Sequence, residues 1–166
     1  MSTPEQELLV EIKGLMLDPS SNVPIVILRD TQSQLFLPIW IGPHEAHAIA
    51  SRIEGVEPPR PMTHDLLRSL VENLGASVEK IVISDLQEST FFALIYLRSG
   101  ERSIPVDARP SDAIALALRT RAPIYVLRSV LDKAQAADLA TQASDEEKLK
   151  RWLEEISAEE LGKWTM

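Results

Sequence analysis

Residues 23–41 read VPIVILRDTQSQLFLPIWI: two apolar runs, Val23–Asp30 and Gln34–Ile41, with Thr31, Gln32 and Ser33 between them. Runs of strand length, rich in β-branched and aromatic residues and set a hairpin's spacing apart, predict two adjacent antiparallel strands. Upstream, Leu8–Asp18 puts Leu8, Val10 and Ile12 on alternate positions, the pattern of a half-buried strand. Pro19-Ser20-Ser21-Asn22 then supplies the turn. The chain therefore opens with three consecutive strands joined by short links.

Gly42-Pro43 ends the third strand, and proline suits the first turn of the helix expected over His44–Glu54, which Gly55 stops. Pro58, Pro59 and Pro61 make the next stretch an extended linker. Thr63 is the expected cap of a second helix, with Leu66, Leu67, Leu70, Val71 and Leu74 as its apolar stripe and Gly75 as its stop. Val78–Leu86, Phe91–Leu97 and Ser103–Asp107 read as a second group of strands. Pro110-Ser111-Asp112 opens a third helix, Ala113–Arg119, apolar nearly all round and so expected to be buried. Pro123–Leu127 is a last strand. Strands in runs, broken by helices, favour an α+β fold over a strictly alternating parallel one. The residues show no convincing internal repeat, although the order strand–strand–strand–helix occurs twice.

Beyond Val130 the composition shifts toward Ala, Gln, Asp and Glu. Ser144-x-x-Glu147 and Ser157-x-x-Glu160 match capping boxes, and Leu149, Trp152, Leu153 and Ile156 share one face of an amphipathic helix. The expected organisation is a domain over 1–131, a connector over 132–143 and an acidic helical tail over 144–166.

The chain has 166 residues, 45% of them hydrophobic, enough for one domain with a real core. It contains no cysteine, which removes disulfides, thiolate metal sites and cysteine nucleophiles together. With an acidic first dozen residues lacking a signal pattern, a cytoplasmic location is expected. The net charge of −8 argues against the broad basic surface of most nucleic-acid binders, without excluding a local basic cleft.

Three polar groups stand at junctions leading into helices. His44, Glu45 and His47 follow the first; two histidines three apart share a helix face and can hold a metal, or they are exposed polar residues with Glu45 favouring the helix N-terminus. Arg60, Thr63, His64 and Asp65 stand at the second, where a histidine beside a carboxylate can act as general base and orienting partner, or Thr63 and Asp65 serve the helix start. Asp107, Arg109, Ser111 and Asp112 stand at the third; carboxylates around an arginine can bind a divalent cation or a phosphate, or form a structural ion pair and cap.

In combination these stretches resemble the bifunctional nuclease family. The resemblance is carried by Leu37-Pro38-Ile39-Trp40-Ile41-Gly42 with Glu45-Ala46, by Arg60-Pro61 and Thr63-His64-Asp65-Leu66-Leu67, by Phe91-Phe92-Ala93, by Asp107 through Ala117, and by Ala122-Pro123-Ile124-Tyr125-Val126. It covers roughly Leu8–Leu131. It implies an α+β fold, self-association (most simply a dimer) and, as in plant members, nuclease activity on RNA and DNA. The matching positions are Glu45, Arg60, Thr63, His64, Asp65, Asp107, Arg109, Ser111 and Asp112; His44 and His47 fall outside the pattern. On that basis His64, Asp65, Arg109 and Glu45 are expected to be catalytic. Arg60, Thr63 and Ser111 are expected to bind substrate, and Asp107 and Asp112 to hold Mg²⁺ or Mn²⁺. The competing function is a non-catalytic interaction domain in which the same residues are caps and ion pairs.

Overall fold

The two strand groups and the helices between them form β1 (Glu7–Leu17), β2 (Pro24–Asp30), β3 (Phe36–Trp40), α1 (Pro43–Ile53), α2 (Thr63–Asn73), β4 (Ser77–Gln87), β5 (Thr90–Ser99), β6 (Arg102–Ala108), α3 (Pro110–Thr120), β7 (Ile124–Leu127) and α4 (Arg128–Ala136) in a computed structural model that describes residues 4–137. The fold is α+β, as expected. All strands join one seven-stranded sheet in the order β3-β2-β1-β7-β4-β5-β6. Each group is an antiparallel meander. The short β7 stitches the two together, antiparallel to β1 and parallel to β4. Both edge strands carry a proline, Pro38 in β3 and Pro105 in β6, a residue that cannot donate to a further strand and so discourages edge-to-edge pairing. Among the described residues no helix is long and apolar enough to cross a membrane.

Local chemistry explains the boundaries. Buried Asp30 holds the β2–β3 turn: its carboxylate accepts from the backbone N–H of Gln32 and Ser33 and from the Ser33 hydroxyl. Gly55 and Gly75 follow the C-termini of α1 and α2 with φ of 71° and 80°, a left-handed backbone that glycine adopts without steric penalty. Helix α3 is the centre of the core: Ala113, Ile114, Ala115, Leu116 and Ala117 are all buried, packed with Ile81 and Ile83 of β4, Ala93 and Ile95 of β5, and Ala46 and Ile49 of α1.

Two elements depart from expectation. On α2 the leucine stripe faces outward: Leu66, Leu70 and Leu74 are exposed, Leu74 by 83%. The opposite stripe, with His64 and Val71, faces inward because His64 and Asp65 find polar partners on α3; specific hydrogen bonds override the hydrophobic pattern. At the other end, α4 runs to Ala136 with Val130, Leu131 and Ala134 buried, so the expected domain edge at Leu131 falls inside a packed helix. The expected tail, 144–166, lies outside the described residues.

The topology also exposes a repeat that the bare residues hid. Leu37-Pro38-Ile39-Trp40-Ile41-Gly42-Pro43-His44-Glu45-Ala46 runs from β3 into α1, and Ile104-Pro105-Val106-Asp107-Ala108-Arg109-Pro110-Ser111-Asp112-Ala113 runs from β6 into α3. The edge proline, the proline opening the helix, the acid two residues later and the alanine after it coincide, and farther on Arg52 falls opposite Arg119. Both helices start with proline at the first turn and span eleven residues.

Candidate active site

The repeat places one acid at the third position of each helix, Glu45 in α1 and Asp112 in α3, and a third, Asp65, at the same position of α2. Acidic groups are favoured there by the unsatisfied N–H groups and the positive end of the helix dipole. Arg109, the residue before α3, joins two of them. Its Nε donates to Asp112 Oδ2 at 2.9 Å and its Nη2 donates to Glu45 Oε1 at 2.7 Å. The other oxygen of Asp112 meets His64 Nε2 at 2.9 Å. Glu45, Arg109, Asp112 and His64 thus form one chain of contacts that ties together the starts of α1, α3 and α2.

The electrostatics follow from that geometry. Burial opposes ionisation of Glu45, but its own backbone N–H and the Arg109 guanidinium outweigh it and hold the carboxyl below its ordinary range. Arg109 is held more firmly protonated, first by Glu45 and then by Asp112. Its side chain is 65% exposed, while that of His64 is only 9% exposed. The cluster therefore presents a fixed guanidinium outward and keeps an imidazole behind it. The counterpart of Arg109 in the first half is Gly42. A Cβ at Gly42 would run into the Glu45 carboxylate, so glycine leaves that carboxylate room to reach the single arginine.

Asp65 does not belong to this chain, nor does it pair with its neighbour His64. Adjacent helical residues point about 100° apart. Its carboxylate accepts from Arg119 Nε at 2.7 Å and from the Met62 backbone N–H at 2.9 Å. Arg119 is buried in α3 and also donates to the carbonyls of Ala115 and Ala48. Both acceptor oxygens of Asp65 are committed, one to the helix start and one to Arg119. Thr63, expected to cap α2, is instead the first helical residue; Met62 stands at the cap, and Asp65 takes its N–H. Arg119 was missed because an arginine at the end of an apolar helix looks like a C-terminal charge. Its signal lies in the repeat, where Arg52, which also acts electrostatically on Asp65, is its counterpart.

The two carboxylates expected to hold a metal, Asp107 and Asp112, stand in different surroundings. Asp107 is exposed on β6 and makes no ion pair with any described residue, and both oxygens of Asp112 are occupied. A guanidinium on one of those oxygens also disfavours a second cation there. No group of three or more His, Asp or Glu among the described residues is disposed to hold a metal ion. Arg60 is exposed ahead of α2, His44 is exposed and His47 half-buried on α1; none makes a side-chain hydrogen bond within the described residues. Ser111 is buried in the first turn of α3. It lines a cleft of about 660 Å³ together with Arg109 and Pro110, with Trp40, Ile41 and Gly42, and with Ser89 of the β4–β5 turn and Thr90 and Phe91 of β5. Both halves of the repeat contribute to its lining.

Comparison with known proteins agrees with the pattern of residues. The bifunctional nuclease domain matches residues 26–138. An uncharacterized protein of Mycobacterium tuberculosis is 50% identical over 139 residues, covering 83% of this chain and 81% of that protein. Bifunctional nuclease 1 of Oryza sativa subsp. indica is 27% identical over 116 residues, 68% of this chain but 35% of the rice protein. Bifunctional nuclease 2 of Oryza sativa subsp. japonica is 29% identical over 122 residues, 71% of this chain and 38% of that one. This chain therefore matches little more than a third of the plant proteins' length. With the match spanning both halves of the repeat and every residue of the Glu45–Arg109–Asp112–His64 cluster, the chain belongs to the bifunctional nuclease domain family.

Proposed function

We propose that this protein is a nuclease hydrolysing phosphodiester bonds of RNA and DNA, with Glu45, Arg109, Asp112 and His64 as its active centre. The observation that carries the reading is Arg109: a guanidinium fixed by two carboxylates yet 65% exposed at a cleft, one of whose anchors also grips a histidine. An ionised carboxylate only accepts hydrogen bonds, so Asp112 fixes the imidazole with its proton on Nε2 and leaves Nδ1 as the basic nitrogen. Water adds to phosphorus as its proton passes to Nδ1. The bond to the leaving oxygen breaks, and that oxygen regains a proton from the imidazolium. Arg109 offers its free N–H groups to the charge that grows on the phosphoryl oxygens, in a position already paid for by Glu45 and Asp112. No step is routed through a metal, because one oxygen of Asp112 is engaged by Arg109 and the other by His64.

One observation favours a second reading. His64 is only 7% exposed, and every charge in the cluster is satisfied, as in a structural clamp holding three helix starts in a non-catalytic interaction domain. One assay separates the two: highly purified protein on RNA and on single-stranded DNA, with and without EDTA and added Mg²⁺ or Mn²⁺, beside Asp112→Asn. Cleavage lost in a folded Asp112→Asn protein supports the enzyme. Absence of cleavage by the unaltered chain under every condition supports the clamp.

We also infer a homo-oligomer, most simply a dimer, since two-fold closure is the commonest solution. Its support is the outward leucine stripe of α2, a contiguous apolar surface of the kind that marks interaction sites. Light scattering should show an oligomer that Leu70→Glu weakens; a monomer at high concentration retires the idea.

A further inference from the structure

The cleft beside Arg109 has two features that bear on how a substrate is held. The first is Trp40, at the end of β3 and 43% exposed. Its indole N–H donates to Asp18 Oδ2 at 3.0 Å. Asp18 in turn accepts from the Ser20 backbone N–H at 2.9 Å and from its hydroxyl at 2.7 Å. The hydrogen bond from Trp40, and then those from Ser20, hold the Asp18 carboxyl far below its ordinary range. A large aromatic ring is thus left in solvent and fixed at its only polar atom, which is the preorganisation a stacking platform needs. The second feature is a pair of donors, without partners among the described residues, that line the same cleft. Ser111 is 5% exposed, lines the cleft, and its hydroxyl makes no hydrogen bond among the described residues. No side chain caps α3, and Nη1 of Arg109 is likewise without a partner among the described residues.

We propose that this cleft binds one unpaired nucleotide of a single-stranded nucleic acid, its base stacked on Trp40 and its phosphate at the Ser111 hydroxyl and Arg109 Nη1. The proposal rests on the nuclease reading of the same site and names the form of the substrate. A cleft of about 660 Å³ lies within the roughly 300–1,000 Å³ of small-ligand sites, so it holds a nucleotide and not a duplex. Bases inside a duplex are stacked on each other and offer Trp40 no face. Stacking, unlike base-edge hydrogen bonding, tolerates any base, so one cleft serves RNA and DNA alike. Because Glu45 and Asp112 offset the charge of Arg109, phosphate attraction is small. Stacking then supplies much of the affinity, and binding falls only slightly with salt, unlike that of proteins with many phosphate contacts.

The test uses the full chain with Trp152→Phe and Trp164→Phe, which leaves Trp40 as the only one of the three tryptophans. Its fluorescence is followed on titration with a short oligouridylate and with the same strand annealed to oligoadenylate. The single strand should quench Trp40, and the duplex should leave it unchanged. Trp40→Ala should weaken single-strand binding about tenfold or more, in line with the loss of one stacked base. Trp40→Phe, which keeps a ring and serves as the folded control, should lose less. Equal binding of duplex and single strand, or undiminished single-strand affinity in Trp40→Ala, overturns the proposal. Quenching by a single strand that is never cleaved leaves this binding site standing and sinks the nuclease reading. Cleavage that depends on Arg109 but is indifferent to Trp40 does the reverse.

Discussion

Replacing Arg119 by Met removes the buried guanidinium of α3 while keeping most of its length and volume. Three hydrogen bonds are lost, to Asp65 at 2.7 Å, Ala115 at 2.9 Å and Ala48 at 3.1 Å. The two carbonyls sit inside helices and keep their backbone partners, so their share is small. The ion pair is the main term. Removing one partner of a fully buried pair costs about 3–5 kcal/mol, but the Asp65 side chain is 24% exposed and retains the Met62 N–H, so water makes good part of the loss. A net destabilisation of about 2–4 kcal/mol is expected, close to the range for hydrogen bonds involving a charged group. For a chain of this size that lowers Tm by about 6–12 °C. The assay is thermal and urea unfolding of the parent, Arg119→Met, Asp65→Asn and the double variant. The two single changes should not add, because both break the same pair. Below Tm, cleavage per folded molecule should also fall, because α2 loses the anchor that presents His64 to Asp112. An Arg119→Met protein that melts within about 1 °C of the parent, or strict additivity in the double variant, refutes this account of the helix anchor.

Three further outcomes follow from named contacts. Burial opposes ionisation of Asp65, but the Met62 N–H and Arg119 outweigh it, and its folded pKa is depressed. Its stabilisation is therefore complete above the unfolded carboxylate value of about 4 and vanishes as pH falls through the folded one. The Tm gap between the parent and Asp65→Asn should be widest near neutrality and close in acid; a gap independent of pH contradicts the assignment. Gly42→Ala should displace only the flexible end of Glu45, leaving Tm within a few degrees but lowering cleavage to the level of Glu45→Gln; parent-like activity would show that the Glu45–Arg109 contact is idle. A chain ending at residue 143 should keep its fold and bind RNA more tightly at low salt, having lost the acidic 144–166 stretch, whereas one ending at Leu131 should be destabilised by removal of buried Ala134.

Much of the fold was legible because its signals are local. Turn residues bounded the strands, prolines opened α1 and α3, glycines closed α1 and α2, and the unbroken apolar surface of α3 announced a core helix. The face of α2 was not legible, since its leucines made the stronger periodic signal. What decided its orientation were two hydrogen bonds to α3, from residues 48 and 54 positions away in sequence. The candidate site was legible as a list and not as a geometry. The resemblance named Glu45, His64, Arg109 and Asp112 beside Asp65 and Asp107, and nothing in the spacing separates the four that meet from the two that do not. Only the alignment of the two β–β–β–α halves shows why: Glu45 and Asp112 are equivalent acids brought to one arginine, Arg109, while Asp107 is the counterpart of Trp40 on the edge strand.

The most direct test of the central claim is the rate of single-stranded RNA cleavage by Arg109→Ala relative to the parent, per molecule shown to be folded by its unfolding curve. Loss of a preorganised donor at the phosphoryl group typically lowers turnover about 100- to 1,000-fold. Because Arg109 is exposed, its removal should change stability by only about 1 kcal/mol. The expected result is a near-parent Tm with cleavage reduced by about two orders of magnitude or more. A folded Arg109→Ala protein that cleaves RNA at the parent rate would show that the cluster joining the three helix starts is architecture and not an active centre.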